Sequence, residues 1–428
     1  MRILHFADLH IGVESYGHLD PQTGLSARLA DFLRSYDQLL DFAISERVDL
    51  VLFCGDAYKS RDPSQTHQRA FARGITRLAQ AGIGTFLVVG NHDLPATRGR
   101  ATALDIFPTL RTPGVIVADR VQPYTVDTRD GPLQIVALPW IRRAEFAALA
   151  LSTVEGRPRS VEEVNRFIES RLGELVHDAA EALDPRLPAI LAGHCTVSGA
   201  VTSSEQSMML GRDHVLLQSS LSLPSFDYVA LGHIHKRQVL GVNPPIVYSG
   251  SLERVDFGEE KDDKGFYLVD LDPTQPRGQR LRDYTFEPVD ARAFLTIPVA
   301  IDQDDADPTE TALAAIRRHQ AEGPRNGVAD KIVRVEVTIP RHLEPSLNER
   351  RIREALAGAF YIAPLERRLL GDRRTRWQGE ALESATPLEA LARYLDTRPG
   401  VSQERKRLLL EHAQALLDDE PPDSPPSL

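Results

Sequence analysis

Five short motifs in this 428-residue chain carry side chains able to hold metal ions. In order they are Asp8-Leu9-His10, Gly55-Asp56, Gly90-Asn91-His92-Asp93, Gly193-His194 and Gly232-His233-Ile234-His235. Imidazoles, carboxylates and one amide oxygen, with no thiolate among them, suit Mn, Fe, Zn or Mg rather than copper or an iron–sulfur cluster. Seven donors, Asp8, His10, Asp56, Asn91, His194, His233 and His235, exceed what one ion takes. They suit two divalent ions sharing a bridging carboxylate, and Asp56 is the central candidate for that bridge. Two such ions activate water for in-line attack on phosphorus, so the expected chemistry is phosphoester hydrolysis without a covalent enzyme intermediate. Taken singly, a His at a strand end is most often a hydrogen-bonded core or surface residue, and a lone Gly-Asp is a turn. Five in order, each after an apolar run, go beyond that bland reading. His5, His18, His67, His177, His214, His319, His342 and His412 lack such a context and read as structural or solvated.

The elements that must position these motifs are short and β-branched. The runs Arg2–Ala7, Leu50–Cys54, Thr85–Val89, Ala189–Ala192 and Tyr228–Leu231 predict the strands that deliver the five motifs. Leu133–Leu138, Ile246–Tyr248 and Gly265–Val269 predict three more. Residues two apart on extended chain face one side, which would pair Asp8 with His10 and His233 with His235. A glycine before Asp56, Asn91, His194 and His233 permits the tight turn off each strand. Between the first two strands, Leu29, Phe32, Leu33, Tyr36, Leu40 and Ala43 recur at helical spacing, and Ser64 can cap a helix that Gly82 stops. This rhythm predicts an α/β sandwich over residues 1–287, two mixed sheets flanked by helices. Loops at strand ends would then converge in one crevice.

Near residue 288 the texture changes. Phe294–Ile301 and Lys331–Ile339 read as strands, and Thr309–Ala321 and Glu349–Ala359 as helices, making a small α/β domain over 288–372. A polar linker, 373–384, leads to a helix pair over 385–418. Thr386-Pro387-Leu388-Glu389 supplies a cap, a first-turn proline and a capping-box glutamate. Leu388, Leu391 and Leu395 line the first helix, which Arg398-Pro399-Gly400 ends. Ser402 caps the second, carrying Leu408, Leu409, Ala413, Leu416 and Leu417. Stripes so short need a neighbour or a partner to cover them. Residues 419–428 are Pro-, Ser- and acid-rich and read as a disordered tail.

Composition excludes some classes. A 26% charged and 42% hydrophobic chain is ordinary for a globular protein. No apolar stretch is long enough for a bilayer span, and the run before Asp8 is too short for a signal-peptide core. Cys54 and Cys195 stand alone in apolar runs, as free thiols do in a reducing cytoplasm. The net charge of −11 argues weakly against nucleic acid, yet Arg341 to Arg376 holds nine Arg against five Asp or Glu. That stretch is either a solvated helical surface or a set of phosphate contacts.

Together the five motifs resemble the calcineurin-like metallophosphoesterase superfamily. More narrowly, Asp8-Leu9-His10-Ile11-Gly12, the run from Gly55-Asp56-Ala57-Tyr58 through Asp62-Pro63-Ser64, and Tyr248-Ser249-Gly250-Ser251-Leu252-Glu253-Arg254 with Phe257-Gly258-Glu259 are similar to SbcD-type (Mre-type) DNA repair nucleases. The resemblance implies a nuclease domain, a small capping domain that binds DNA, and a helix pair that binds the coiled-coil base of an SbcC-like ATPase. It implies a homodimer within a heterotetramer, a cytoplasmic, nucleoid-associated location, and two ions that it points to as Mn2+. The implied activities are 3′–5′ exonuclease on duplex ends and endonuclease at single strands and hairpins, in double-strand break processing. Carried over by position, one ion falls to Asp8, His10, Asp56 and His235, the other to Asp56, Asn91, His194 and His233. His92 would meet the scissile phosphate or protonate the leaving oxygen, with Asp93 orienting it. Where many relatives place Asp or His, this chain has Lys59, a candidate DNA-phosphate contact, as is Arg254. Leu388, Leu391, Leu395, Leu409 and Leu416 are the candidate partner contacts. The rival reading is a phosphatase or phosphodiesterase for small molecules or phosphoproteins, which would need neither the capping domain nor the helix pair.

Overall fold

Alternation along the first strand, Arg2–Phe6, sends Ile3 to one side of its sheet and Leu4 and Phe6 to the other, and all three are buried. Both faces of the sheet are therefore covered, as a largely parallel sheet requires. The computed structural model describes residues 1–95, 97, 99–142, 161–202, 215–321, 327–370, 387–396 and 402–417. The expected linker 373–384, the tail 419–428, Thr386 and Arg398-Pro399-Gly400 lie outside them.

Two six-stranded sheets form the sandwich. The first runs Leu281–Pro288, Gly265–Leu271, Arg2–Phe6, Leu50–Phe53, Gly84–Val88, Val115–Ala118. The second runs Gln238–Leu240, Ile246–Tyr248, Tyr228–Gly232, Ala189–His194, Gly131–Leu138, Gln122–Thr128. Ile3, Leu52, Phe86 and Val88 of the first meet Leu133, Ile135, Ile190 and Ala230 of the second in a continuous apolar layer. Each of these Ile, Leu, Val and Phe side chains, taken fully from water, contributes about 1.5–3 kcal/mol before conformational entropy is set against it. Helices Ala27–Ser45 and Gln65–Gln80 cover the outer face of the first sheet, and Val161–Glu181 that of the second. Ser26 and Ser64 cap the first two, their hydroxyls accepting from Arg28 N and His67 N.

The described residues fall into two compact units, Met1–Thr338 with Pro345–Arg368, and Ile339–Glu344 with Leu369–Leu428. The first holds the sandwich and most of the small α/β domain. There, strand Phe294–Ala300 pairs in parallel with Ile332–Pro340, under helices Pro308–Ala321 and Glu349–Ala355. The last helix is shorter than the expected Glu349–Ala359. Gly358 takes φ +109, and the chain turns back so that Tyr361–Ile362 joins the sheet beside Ile332 and Val333. In the second unit, helices Pro387–Asp396 and Gln403–Leu417 pack on each other, and Lys406 Nζ meets Asp396 at 3.1 Å. Among the described residues no helix is long and apolar enough to cross a membrane. Cys54 and Cys195 are buried free thiols, raised in pKa by desolvation.

A buried ionic cluster ties the small domain to the sandwich. Arg292 grips Asp31 with two hydrogen bonds of 2.6 Å, and its remaining nitrogen reaches Asp330. Arg28 donates to the same Asp31 carboxylate at 2.7 Å. Glu253 accepts from Arg292 N at 3.1 Å and from Ser35 Oγ at 3.2 Å.

Candidate metal centre

Strands Arg2–Phe6, Leu50–Phe53 and Gly84–Val88 are mutually parallel, as are Tyr228–Gly232 and Ala189–His194. Their C-terminal ends therefore open at the same edge of each sheet, where ligand-bearing loops of open α/β sheets gather. All seven expected donors meet there. Asp8, His10 and His235 form one group whose donor atoms lie within 4.8 Å of one another; Asp8, Asp56 and His194 form a second, and His10, Asp56 and His92 a third. His194 Nε2 is 3.4 Å from Asp56 Oδ2 and 2.9 Å from Asn91 Oδ1, and His233 Nδ1 is 3.0 Å from the same amide oxygen. Asp56 Oδ2 is also 3.8 Å from His10 Nε2, so this carboxylate faces both halves of the cage.

Strand alternation does not produce the pairs. The first strand ends at Phe6, and Asp8 (φ 53), His10 (φ 47), Asp56 (φ 63) and His233 (φ 93) all sit in the left-handed region that non-glycine residues avoid. Such strain, about 1–3 kcal/mol per residue, persists only where the surroundings impose it, and it clusters at functional sites. The main chain supplies that imposition. Asp8 N donates to Gly55 O, His10 N to Asp56 O, and the Asp8 carboxylate accepts His233 N at 2.9 Å.

Gly90 keeps an ordinary φ and is needed for closeness instead: a Cβ there would run into Asp56 Oδ1 and its backbone nitrogen. Gly90→Ala should push Asp56 out of register and cut bound divalent metal, read by elemental analysis of dialysed protein. Full metal content in that variant would contradict this packing.

The donor set fits a divalent cation. His194 Nδ1 is 2.7 Å from the Cys54 carbonyl, which only accepts, so Nδ1 carries the hydrogen and Nε2 turns its lone pair toward Asn91 Oδ1 and Asp56. Lone pairs converging in a buried cage call for a positive charge between them. Protons show the same demand. Burial opposes charging His194, yet Asp56 outweighs it and pushes the ring up to about 9. Burial lifts the Asp8 carboxyl to about 7. His10, enclosed and beside His235, is held well below the usual imidazole range. A metal replaces such protons, because its ligands must be deprotonated to bind it.

Asp93 turns its carboxylate to the main chain. Its carboxylate accepts Gly90 N, Asp56 N and Ala57 N at 2.9, 2.8 and 3.0 Å, clamping two metal-bearing loops together. Burial raises it to about 7. His92 is oriented by the Lys59 carbonyl, 2.7 Å from Nδ1, while its main-chain N–H donates to Asp56 Oδ1. Lys59 is half-buried beside these rings, close enough to His10 and His92 to lower both their pKa values. The Arg254 guanidinium donates to the main-chain carbonyls of Ala291, Arg292 and Asp262, which ties it to the fold. In the helix pair, Leu395 is buried, Leu388 and Leu391 are half-buried, and Leu409 is exposed. The side chain of Leu416 lies outside the described residues.

Two neighbours carried no signal of their own in the sequence. Trp140 stands with its ring centroid 4.8 Å from that of His233, brought in by Trp140 N donating to Val89 O. Glu259, inside a run singled out only for its resemblance, bonds His235 Nδ1 at 2.7 Å.

Comparison with known proteins agrees with this geometry. Residues 1–237 match the family model for calcineurin-like phosphoesterases. The SbcD component of the nuclease SbcCD from Rhodobacter capsulatus is 32% identical over 287 residues, covering 63% of this chain and 66% of its own length. Its Escherichia coli K12 counterpart is 28% identical over 275 residues, 63% and 64% of the two chains. The DNA double-strand break repair protein Mre11 of Saccharolobus solfataricus is 25% identical over 287 residues, 64% and 62%. The chain thus spans just under two-thirds of the length of these curated relatives. With more than half of its residues inside the family model and the donors gathered at one sheet edge, the chain belongs to the calcineurin-like phosphoesterase family.

Proposed function

We propose that this chain is the nuclease component of an SbcCD-like complex, hydrolysing DNA phosphodiesters with two divalent ions, Mn2+ by resemblance. The reading extends to 3′–5′ exonuclease on duplex ends, hairpin and single-strand endonuclease, and assembly as a dimer with a coiled-coil ATPase. The observation that carries it is the gathering of seven metal donors, with His92 beside them, in a chain similar to proteins named as components of the SbcCD nuclease.

Asp8, His10, Asp56 and His235 would hold one ion, and Asp56, Asn91, His194 and His233 the other. Bound there, the pair supplies Lewis-acid activation of water and of the phosphoryl oxygens. The chain's own residues do the rest. Asp93 keeps the Asp56 and Asn91 loops at fixed separation. His92 lies edge-on to His10, centroids 5.0 Å apart, with Nδ1 anchored and Nε2 available to the phosphate. Burial lowers its pKa in the free protein, and an approaching phosphate anion raises it again, readying the ring to donate a proton to the leaving oxygen. His92→Ala should slow turnover by about 10²–10⁴-fold while both ions stay bound. Loss of metal in that variant would overturn the role.

The test of the reading is digestion of linear duplex DNA by the purified chain in Mn2+, with and without the ATPase partner. DNA cleavage supports it; hydrolysis of p-nitrophenyl phosphate with no cleavage of DNA would favour the small-substrate phosphatase instead.

A further inference from the structure

Behind His235 the chain buries a full ion pair that the seven donors do not explain. Lys264 and Glu259 are 2% and 0% exposed and meet at 2.7 Å. Burying a charge pair costs more in desolvation than it returns unless the remaining hydrogens and lone pairs are matched. Here they are matched. Lys264 Nζ donates to Glu259 Oε2, to Ser251 Oγ at 2.8 Å and to the His235 carbonyl at 3.2 Å, using all its ammonium hydrogens. Glu259 Oε2 also accepts the Val255 N–H at 3.2 Å. Glu259 Oε1 faces His235 Nδ1 at 2.7 Å.

A carboxylate only accepts, so His235 Nδ1 carries the ring hydrogen and Nε2 keeps its lone pair. That lone pair points at His10 Nε2, 2.9 Å away, in the group shared with Asp8. Lys264 therefore holds His235 twice, once at its carbonyl and once at its ring through Glu259. His194 differs: its Nδ1 rests on the neutral Cys54 carbonyl. A carboxylate behind a ligating imidazole fixes its tautomer and raises its basicity; a carbonyl fixes the tautomer with less effect on basicity.

We propose that Glu259 and Lys264 are positioning residues of the metal centre, Glu259 orienting His235 and Lys264 holding both Glu259 and the His235 main chain. The inference rests on the two-ion reading of this site and makes the two ions unequal. The ion held through His235 depends on the buried pair; the ion held through His194 and His233 does not.

The experiment is calorimetric titration of the full-length apo protein with Mn2+, reading two binding constants. The variant is Glu259→Leu with Lys264→Met, which removes both charges together and leaves no unpaired buried ion. One constant should weaken by about 10–100-fold while the other holds. Two unchanged constants, or two weakened in parallel, would overturn the proposal. Should the double variant not fold, Glu259→Gln keeps the shape and is read the same way. DNA plays no part in this titration. A chain that binds two Mn2+ unequally but cuts no DNA would end the nuclease reading and leave this one standing.

Discussion

Asp56→Asn should give a folded protein that hydrolyses no measurable DNA. The asparagine keeps an oxygen for His92 N, 2.8 Å away, so the loop has its anchor. It loses the charge that stands 3.4 Å from His194 and 3.8 Å from His10. Burial works against ionising Asp56, but His194 and then His92 override it and hold the carboxyl well below its usual range. That carboxylate is thus held in its charged form, ready to be shared by two cations. Removing one hydrogen-bond donor from an oxyanion hole costs about 10²–10³-fold, and losing the charge shared by two ions should cost at least as much. Turnover on linear duplex DNA and metal content by elemental analysis check it together. Normal turnover in a folded Asp56→Asn protein would remove Asp56 from the centre of the account.

Asp31→Asn is the second large effect, and it concerns the fold. Asp31 is 1% exposed and lies between Arg28, at 0%, and Arg292. Neutralising it leaves two buried guanidiniums facing each other, and breaking a buried pair this way costs about 3–5 kcal/mol. Denaturant unfolding monitored by circular dichroism would show it as a lower midpoint. The pH dependence has a definite sign. Burial alone would raise the Asp31 pKa, but the Arg292 hydrogen bonds and the Arg28 charge lower it. The unfolded chain, titrating near the ordinary value of about 3.9, takes up the proton first. The stabilisation is present above that value and is lost as pH falls toward the folded one. Wild type and Asp31→Asn should therefore converge in stability in acid, and a gap that stayed constant would point to lost packing instead.

Much of the centre was legible because each donor follows a strand with a strong apolar signature, and the fold only had to bring parallel strand ends together. What was not legible follows a physical pattern. The strands missed in the sandwich, Val115–Ala118, Gln122–Thr128, Gln238–Leu240 and Leu281–Pro288, are the outermost of their two sheets. An edge strand has one hydrogen-bonded neighbour and more solvent, so residues such as Gln122, Asp127, Arg282 and Asp283 erase the alternation that inner strands show. The main-chain partners of Asp93 and Arg254 were not legible for another reason. A charged side chain near a motif looks functional in sequence, whereas its partners here are main-chain groups, which sequence does not display. Glu259 stands 24 residues beyond His235, and only the fold brings the two together.

Soaking crystals of this chain in MnCl2 and calculating the anomalous difference map at the manganese edge tests most directly whether one site holds two divalent ions with Asp56 between them. Two peaks are expected about 3.5–4 Å apart, one beside Asp8, His10 and His235, the other beside Asn91, His194 and His233, with Asp56 touching both. A single peak, or two peaks of which Asp56 touches only one, would contradict that arrangement.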